Sequence, residues 1–501
     1  MSLMGIDIGT TGTKAIVFSE EGKVLANSYL EYNLLFPKPG WVEFDTEDMW
    51  GKVFDVIKNV NSHELVQNDP VNALAVSTVG ESFTPIDDKG KILYNTIYST
   101  DSRSTQELEQ MLSVMPAKDL YYITGLPPQF VTALNKILWV RNNLPDIFKK
   151  TSKILFTEEL LHHKLGIRDY KINYPLASTS LFFDLREKKW SKKILDAFNL
   201  DVDLFAEPTP SGTEIGIVRE DIASDLGFKG KVSIVTGGHD QQCAAFGVGA
   251  ISGGIAADGI GTVECVVPVF DEIIMKDSMF DNDFSTRAHV VSDKYVTFAY
   301  NFTAGSVLKW YRDKLAPDQK EIAEAIGTDA YEYFFSGLDY EPSGIYTLPY
   351  FSGSGTPYHD PITKGSMIGL GISTERKDIF KSLVESLVFE IGFNLELLNK
   401  SGIKINELRA VGGGSRSDYW LTLKASVIDT VVKRMDIAEA GCLSTMMLAG
   451  SATGVFTIDE AQKNFVKVEK EFYPDKEIGQ RYKEQYGKYK KIYNLISQLY
   501  E

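Results

Sequence analysis

Met4-Gly-Ile-Asp-Ile-Gly-Thr-Thr-Gly-Thr-Lys-Ala-Ile-Val-Phe18 is the stretch from which the fold is read. Two apolar runs flank a tip of glycines and threonines, the pattern of strand, glycine turn and strand. Glu21-Gly-Lys23 makes a second turn, and Val24 to Tyr29 reads as a third strand. Within the tip, Gly9 and Gly12 let backbone N–H groups approach a ligand closely, and Thr10, Thr11 and Thr13 add hydroxyl donors. Such a turn suits phosphate oxygens, and Asp7 at the strand end could hold a hydrated Mg2+ against them. An ordinary tight hairpin fits the same residues, and the turn alone does not choose. Neither a Gly-Lys-Ser/Thr P-loop nor a GxGxxG turn is present here.

Working outward, strand-like runs at Ala73–Ser77 and Val232–Thr236 alternate with helical stretches such as Asp45–Asn59 and Lys136–Asn142, which argues for α/β architecture. A partial echo of the first hairpin lies in mid-chain. Ala257-Asp-Gly-Ile-Gly-Thr-Val-Glu-Cys-Val-Val-Pro-Val-Phe270 again reads strand, turn, strand, and its Ile260-Gly-Thr262 matches Ile8-Gly-Thr10. Two related α/β domains facing one another would set both turns across one cleft. The small-residue run Gly247–Gly254 marks the boundary. The expected division is 4–247, 248–457, and a helical tail over 458–501 packed on the second domain, with Tyr489 to Leu499 as a closing helix.

The chain has 501 residues, 44% hydrophobic and 24% charged, which suits a globular protein with a sizeable core. Its formal charge is 52 − 68 = −16. A negative field repels phosphate backbones, so nucleic acid is excluded as a general partner, and an anionic ligand must be held by local devices. Cys243, Cys265 and Cys442 are too few for a disulfide framework and lack metal spacing. The one long uncharged stretch, Gln241 to Ala257, is too rich in glycine for a membrane span. A cytoplasmic enzyme of small molecules is expected.

Two further segments carry chemistry. In Val235-Thr-Gly-Gly-His-Asp-Gln-Gln-Cys-Ala-Ala-Phe-Gly247 a strand ends at the glycines and Asp240 follows. A carboxylate at the carboxyl edge of an α/β strand sits where ligands bind, and it could take the proton of an attacking hydroxyl. Taken alone, the residue reads more simply as an N-capping aspartate. His239 reads as a packing neighbour, since no second histidine stands at metal spacing. In Ala410-Val-Gly-Gly-Gly-Ser-Arg-Ser-Asp-Tyr-Trp420, three glycines before a helix start at Ser415 or Ser417 would let a flat ring or phosphate lie on bare backbone.

The order of these segments resembles the FGGY family of carbohydrate kinases, within the actin-like ATPase superfamily, through essentially the whole chain. Lys136-Ile-Leu-Trp-Val-Arg-Asn-Asn143 is similar to the core of the family's first signature, with Ala133 where Ser, Thr or Pro is usual. Gly365-Ser-Met-Ile-Gly-Leu370, continuing through Asp378 to Glu385, is similar to the second, departing at Leu383. Gly40-Trp-Val-Glu43, Asp101-Ser-Arg103 and Tyr350–Pro357 look like family segments too. The resemblance implies two actin-like (ribonuclease H-like) domains facing each other across a catalytic cleft.

It further implies ATP and Mg2+ as cofactors. Gly9, Thr10, Thr11 and Thr13 with Gly261 and Thr262 would form the phosphate turns, and Gly412, Gly413 and Gly414 would border the adenosine. Asp240 falls on the catalytic base, and Asp7 with Asp240 would flank the metal. Glu81, Asp101, Arg103 and Asp240 are expected around the sugar hydroxyls, with a surface salt pair as the other reading of Glu81 and Arg103. The partner is a small-molecule sugar; family members often form homodimers, and nothing in the sequence fixes the number of subunits. Where glycerol kinases show an Arg-Glu pair, only Glu81 remains, and Ser99 replaces a common tryptophan. A larger, altered pocket disfavours glycerol and suits a ketopentose such as xylulose. Gluconate, fuculose-type or polyol kinases, or a non-catalytic actin-like sugar sensor, are the alternatives.

Overall fold

A computed structural model describes residues 1–500. Its first sheet has six strands: β1 (Ser2–Ile8), β2 (Gly12–Ser19), β3 (Val24–Glu31), β4 (Val71–Thr78), β5 (Glu214–Ile217) and β6 (Ser233–His239), in the order β5-β6-β4-β1-β2-β3. The second is built from β7 (Gly254–Ile260), β8 (Glu264–Phe270), β9 (Arg287–Ala288), β10 (Tyr295–Val296), β11 (Ala299–Asn301), β12 (Ile405–Val411), β13 (Val431–Met435) and β14 (Val468–Phe472). Its order is β9-β10-β8-β7-β12-β13-β14, with β11 also on β8. The two sheets share one plan. A hairpin (β1–β2, β7–β8) is followed by two strands parallel to its first member (β4 and β6, β12 and β13), and an antiparallel strand closes the edge (β5, β14).

Strand β1 shows why the first sheet is buried on both faces. Met4, Ile6 and Ile8 alternate onto one side and pack with Met49, Trp50, Val53 and Ile57. Those four line one stripe of the helix Thr46–Asn61, whose N-cap Asp45 accepts from the Asp48 N–H at 3.2 Å. Each such fully buried apolar side chain stabilises by about 1.5–3 kcal/mol. Leu3 points to the other face, into a core with Cys442, Met446 and Met447 of the helix Ala440–Ala452. On that face a methyl at Gly5 would lie 2.0 Å from the Cys442 carbonyl oxygen, so the helix can approach only because the strand has glycine there.

That helix does not pack only within its own part of the chain. It falls within 248–457, yet it packs on β1, β4 and β6 of the first sheet, and a methyl at Gly247 would lie 2.1 Å from the Ala440 carbonyl oxygen. The tail over 458–501 is not purely helical either. It supplies β14, antiparallel to β13, between the helices Ile458–Phe465 and Lys476–Tyr489. Tyr489 to Leu499 is not one closing helix: the long helix ends at Tyr489, and only a short helix, Ile492–Ile496, and a 3-10 turn follow. Among the described residues no helix is long and apolar enough to cross a membrane.

Candidate active site

Strands β1, β4 and β6 run parallel, side by side, and end in register: Asp7 is paired with Ser77 and Thr78 with His239. Asp240 is the next residue and opens the helix Asp240–Gly247. The N-cap of that helix is His239, whose Nδ1 accepts from the Gln241 N–H at 3.2 Å, so the Asp240 carboxylate is not used for capping. Its Oδ1 lies 3.0 Å from the same Nδ1, and its side chain retains 32% exposure. The two contacts ask opposite things of the ring: an unprotonated Nδ1 caps the helix, a protonated one pairs with Asp240.

Burial pushes the Asp7 carboxyl up to about 6, with Asp240 and Glu439 acting in the same sense against the Ser77 hydroxyl and Lys14. A methyl at Gly441 would lie 3.2 Å from Asp7 Oδ1, so the Ala440–Ala452 helix begins directly over this carboxyl. Lys14, ion-paired with Glu439, was not singled out from sequence; its one signal is a cation two residues past the turn glycine. Behind β6, Glu158 accepts from the Gly237 N–H at 2.6 Å and from the Asn173 amide. Burial pushes its carboxyl up to about 8, and it fixes the strand end that carries Asp240.

The first turn is closed by the Gly9 N–H on the Gly12 carbonyl at 3.0 Å. Thr11 is exposed at its tip, and the Thr10 hydroxyl hydrogen-bonds that of Tyr98 at 2.6 Å. Thr13 departs from expectation. It is fully buried and its hydroxyl donates to the Asp7 carbonyl at 3.1 Å, so it braces the hairpin and is not available to a phosphate.

In the second turn Gly261 and Thr262 are exposed, while their carbonyls accept from the Gly305 and Ala304 N–H groups at 2.9 and 3.0 Å. The triple glycine abuts this hairpin. Gly412 has φ +92° and a methyl there would lie 2.6 Å from the Ile260 carbonyl oxygen, whereas one on Gly414 would lie 2.3 Å from Ile260 Cγ2. Gly413 faces open space. Ser417 then caps the helix Asp418–Ile428, accepting from the Trp420 N–H at 3.2 Å. Lys424 on that helix reaches under the hairpin to Asp258 Oδ2 at 2.5 Å and to Glu264, all three side chains having no exposure. Burial, then the Asp258 charge, raise the Glu264 carboxyl against the pull of Lys424; burial alone would lower the Lys424 ammonium, and the two carboxyls hold it above its usual range.

On the side away from the glycines, Glu81 Oε1 accepts from Arg287 Nη1 at 3.0 Å. Arg287 lies on β9 of the second sheet, so the cation missing beside Glu81 in sequence arrives from 206 residues downstream, in a segment with no periodicity to mark it. Lys136 is buried behind this corner and donates to the Ser99, Tyr98 and Glu81 carbonyls at 2.7, 3.1 and 3.4 Å. Burial pushes its ammonium down to about 7.

Asp101 and Arg103 are not where a sugar would meet them. Both side chains have 0% exposure and pair with each other through Arg103 Nε (2.8 Å) and Nη2 (2.7 Å). The same guanidinium binds Glu43 at 2.8 Å and lies 4.0 Å from the Trp41 ring and 4.9 Å from that of Trp139. Every strong donor is consumed inside the protein, so the pair is a buried brace, neither a substrate contact nor a surface salt pair.

The residues present suit a magnesium nucleotide. Asp7 and Asp240 interact electrostatically across the strand ends, and among the described residues no group of three or more acidic, histidine or cysteine side chains could enclose a metal. Mg2+ is ordinarily held in this way, by one or two carboxylates plus phosphate oxygens and water. Gly412 and Gly413 leave a strip of bare backbone beside the second turn.

Residues 2–247 match the N-terminal domain and residues 273–453 the C-terminal domain of the FGGY family of carbohydrate kinases. The chain is 26% identical over 502 residues to a xylulose kinase of Bacillus subtilis (strain 168), covering 99% of this chain and 97% of that protein. A glycerol kinase of Bacillus velezensis (strain DSM 23117) is 29% identical over 506 residues, covering 98% of each chain. The structure of a ligand-bound xylulose kinase from Lactobacillus acidophilus superposes with a TM-score of 0.90 at 20% identity, covering 100% of this chain and 99% of that one. By the family models, which together take in most of its length, the chain belongs to the FGGY family of carbohydrate kinases.

Proposed function

We propose that this kinase transfers the γ-phosphoryl group of ATP to a hydroxyl of a ketopentose such as xylulose, with Asp240 as general base. The observation that carries the reading is the Asp240 carboxylate itself: released from capping by His239, partly exposed, and standing at the ends of three parallel strands beside Asp7. ATP supplies the phosphoryl group, and Mg2+ would offset charge on its phosphates near Asp7 and Asp240. Asp240 accepts the proton of the acceptor hydroxyl as its oxygen attacks phosphorus in line. The tips of the two turns, half-buried Thr10 with the exposed Thr11, Gly261 and Thr262, orient the phosphate chain, and Gly412 to Gly414 receive the nucleoside. A pentose-sized acceptor is favoured by Ser99 standing where a bulkier indole would narrow the pocket, and by the similarity to xylulose kinases.

ADP release measured with and without a panel of xylulose, ribulose, polyols, fuculose and gluconate tests the reading. A rate that depends on a ketopentose is expected; acceptor-independent hydrolysis, or binding without turnover, would overturn it. Asp240→Asn should fold and bind ATP while losing about 10²–10⁴-fold in turnover, the usual contribution of a general base. Near wild-type turnover in that variant would remove Asp240 from the role.

A further inference from the structure

Beside Asp240 a ring of contacts closes across the two sheets. Gly80 lies against His239, where a methyl would come within 2.4 Å of the imidazole Cδ2. The His239 ring packs 5.7 Å from that of Phe298, and the Arg287 guanidinium lies 4.7 Å over the same phenyl. Arg287 Nη1 then donates to Glu81 Oε1 at 3.0 Å, and Glu81 adjoins Gly80, which completes the ring. Glu81 is held at φ +55°, a conformation that costs a non-glycine residue on the order of 1–3 kcal/mol and persists where the surroundings over-determine it.

What this ring leaves unused defines what it can bind. Arg287 Nε donates to the Ser285 hydroxyl at 3.2 Å and Nη1 to Glu81. Among the described residues neither Arg287 Nη2 nor Glu81 Oε2 has a hydrogen-bond partner, and the two side chains keep 12% and 11% exposure. One ion pair therefore carries both a free donor and a free acceptor, a combination that suits two adjacent hydroxyl groups, one accepting and one donating. The charge count is equally restrictive. Arg287 is the partly exposed cation set among the carboxyls of Glu81, Asp240 and Asp7; Lys136 is fully buried and spends its ammonium on the Ser99, Tyr98 and Glu81 carbonyls, and Lys14 is already paired with Glu439. A carboxylate on the acceptor would enter against that excess of negative charge.

We infer that Arg287 is a specificity-determining residue: with Glu81 it grips a vicinal diol of a neutral sugar or polyol and turns away sugar acids. The inference rests on Asp240 being the base of the proposed transfer, since the ring is built around it. Removing Arg287 strips the diol of a charge-assisted hydrogen bond and leaves Glu81 unpaired. Glu81→Gln has the opposite electrostatic effect, because it frees the guanidinium charge.

The test is steady-state kinetics of the full chain with xylulose, a pentitol and gluconate as acceptors, on wild type, Arg287→Gln, Arg287→Ala and Glu81→Gln, with thermal melts of each. Wild type should favour the neutral acceptors. Arg287→Gln and Arg287→Ala should raise the acceptor KM by about 10–100-fold, the usual worth of a charge-assisted hydrogen bond, while the KM for ATP stays within about twofold. Glu81→Gln should narrow the preference for neutral acceptors over gluconate, a change that loss of packing alone does not produce. Wild type that prefers gluconate, an unchanged acceptor KM in both arginine variants, or an unchanged preference in Glu81→Gln overturns the assignment of Arg287 and leaves the kinase reading standing. No transfer by wild type to any of the acceptors overturns that reading itself, and this one with it.

Discussion

Lys424→Met strikes the device that anchors the second turn. Lys424 is the one cation between two fully buried carboxyls, Asp258 on β7 and Glu264 on β8, and two of their four oxygens already lack a partner. Methionine fills a similar volume, so the change is one of charge rather than of packing. Breaking a buried ion pair from one side typically costs about 3–5 kcal/mol, because the remaining charge is left without compensation. At about 2–4 °C per kcal/mol for a unit of 150–250 residues, the melting temperature should fall on the order of 10 °C.

The pH dependence follows from the same carboxyls. The Glu264 carboxyl is pushed further up once the ammonium is gone, and a carboxyl raised in the folded state gives stability that is present below its unfolded value and lost as pH rises through its folded one. The variant should therefore lie closest to wild type near pH 5 and furthest from it near pH 8. Because the triad joins the hairpin to the helix behind the triple glycine, the KM for ATP should rise while the acceptor KM stays put. Adding Asp258→Asn and Glu264→Gln should recover most of the stability. Urea melts followed by circular dichroism at the two pH values measure all of this. A single variant within about 1 kcal/mol of wild type at pH 8, well short of a broken buried pair, would refute the reasoning.

Three further outcomes are expected. Asp7 must be ionised to face a cation, and with its carboxyl up at about 6 the apparent affinity for Mg2+ should weaken about tenfold per pH unit below that value and level off above it. Magnesium titrations of activity between pH 5 and 8 would show this, and Asp7→Asn should abolish the slope. Gly412→Ala forces a methyl onto the Ile260 carbonyl at φ +92° and should cost on the order of 1–3 kcal/mol, whereas Gly413→Ala, facing open space, should leave the melt unchanged. Any rise in the KM for ATP of the second variant then reports contact with nucleotide. Arg103→Lys should lose about 1.5–3 kcal/mol of stability through its bidentate pairing with Asp101, without altering the acceptor KM; a selective acceptor effect would restore the pair to the sugar site.

The parts of the site that announce themselves in sequence are backbone devices. Glycine and threonine at a strand end, or three glycines before a helix, also fit ordinary hairpins and loops, so both turns and the Asp240 segment became legible only through their order along the chain. Charged side chains were not, because an ionic group in the sequence does not state its burial. Asp101 and Arg103 stand two residues apart and read as pocket polarity, yet the Arg103 donors are spent on Asp101, Glu43 and Tyr94, with two indoles packed against the guanidinium. Arg287 is invisible for the converse reason, being delivered by a two-residue strand far from the motif it completes. Val468-Glu-Lys-Glu-Phe472 reads as charged and helical, but it is an edge strand whose outer residues are solvated, where lysine and glutamate are commonly found.

The helix over Gly5 has a consequence for synthesis on the ribosome. Leu3, Ala73, Ala75 and Val235 on one face of the first sheet are covered by Cys442, Met446 and Leu448, which leave the ribosome late. Until some four hundred and forty residues have been translated, that face is covered only by what Cys243 and Phe246 of the helix Asp240–Gly247 supply, and β1 waits for a partner encoded near the other end of the message. A fragment ending at Gly247 would carry the sheet and the base together and still lack the surface that seals them, so nascent chains of that length are natural clients for chaperones.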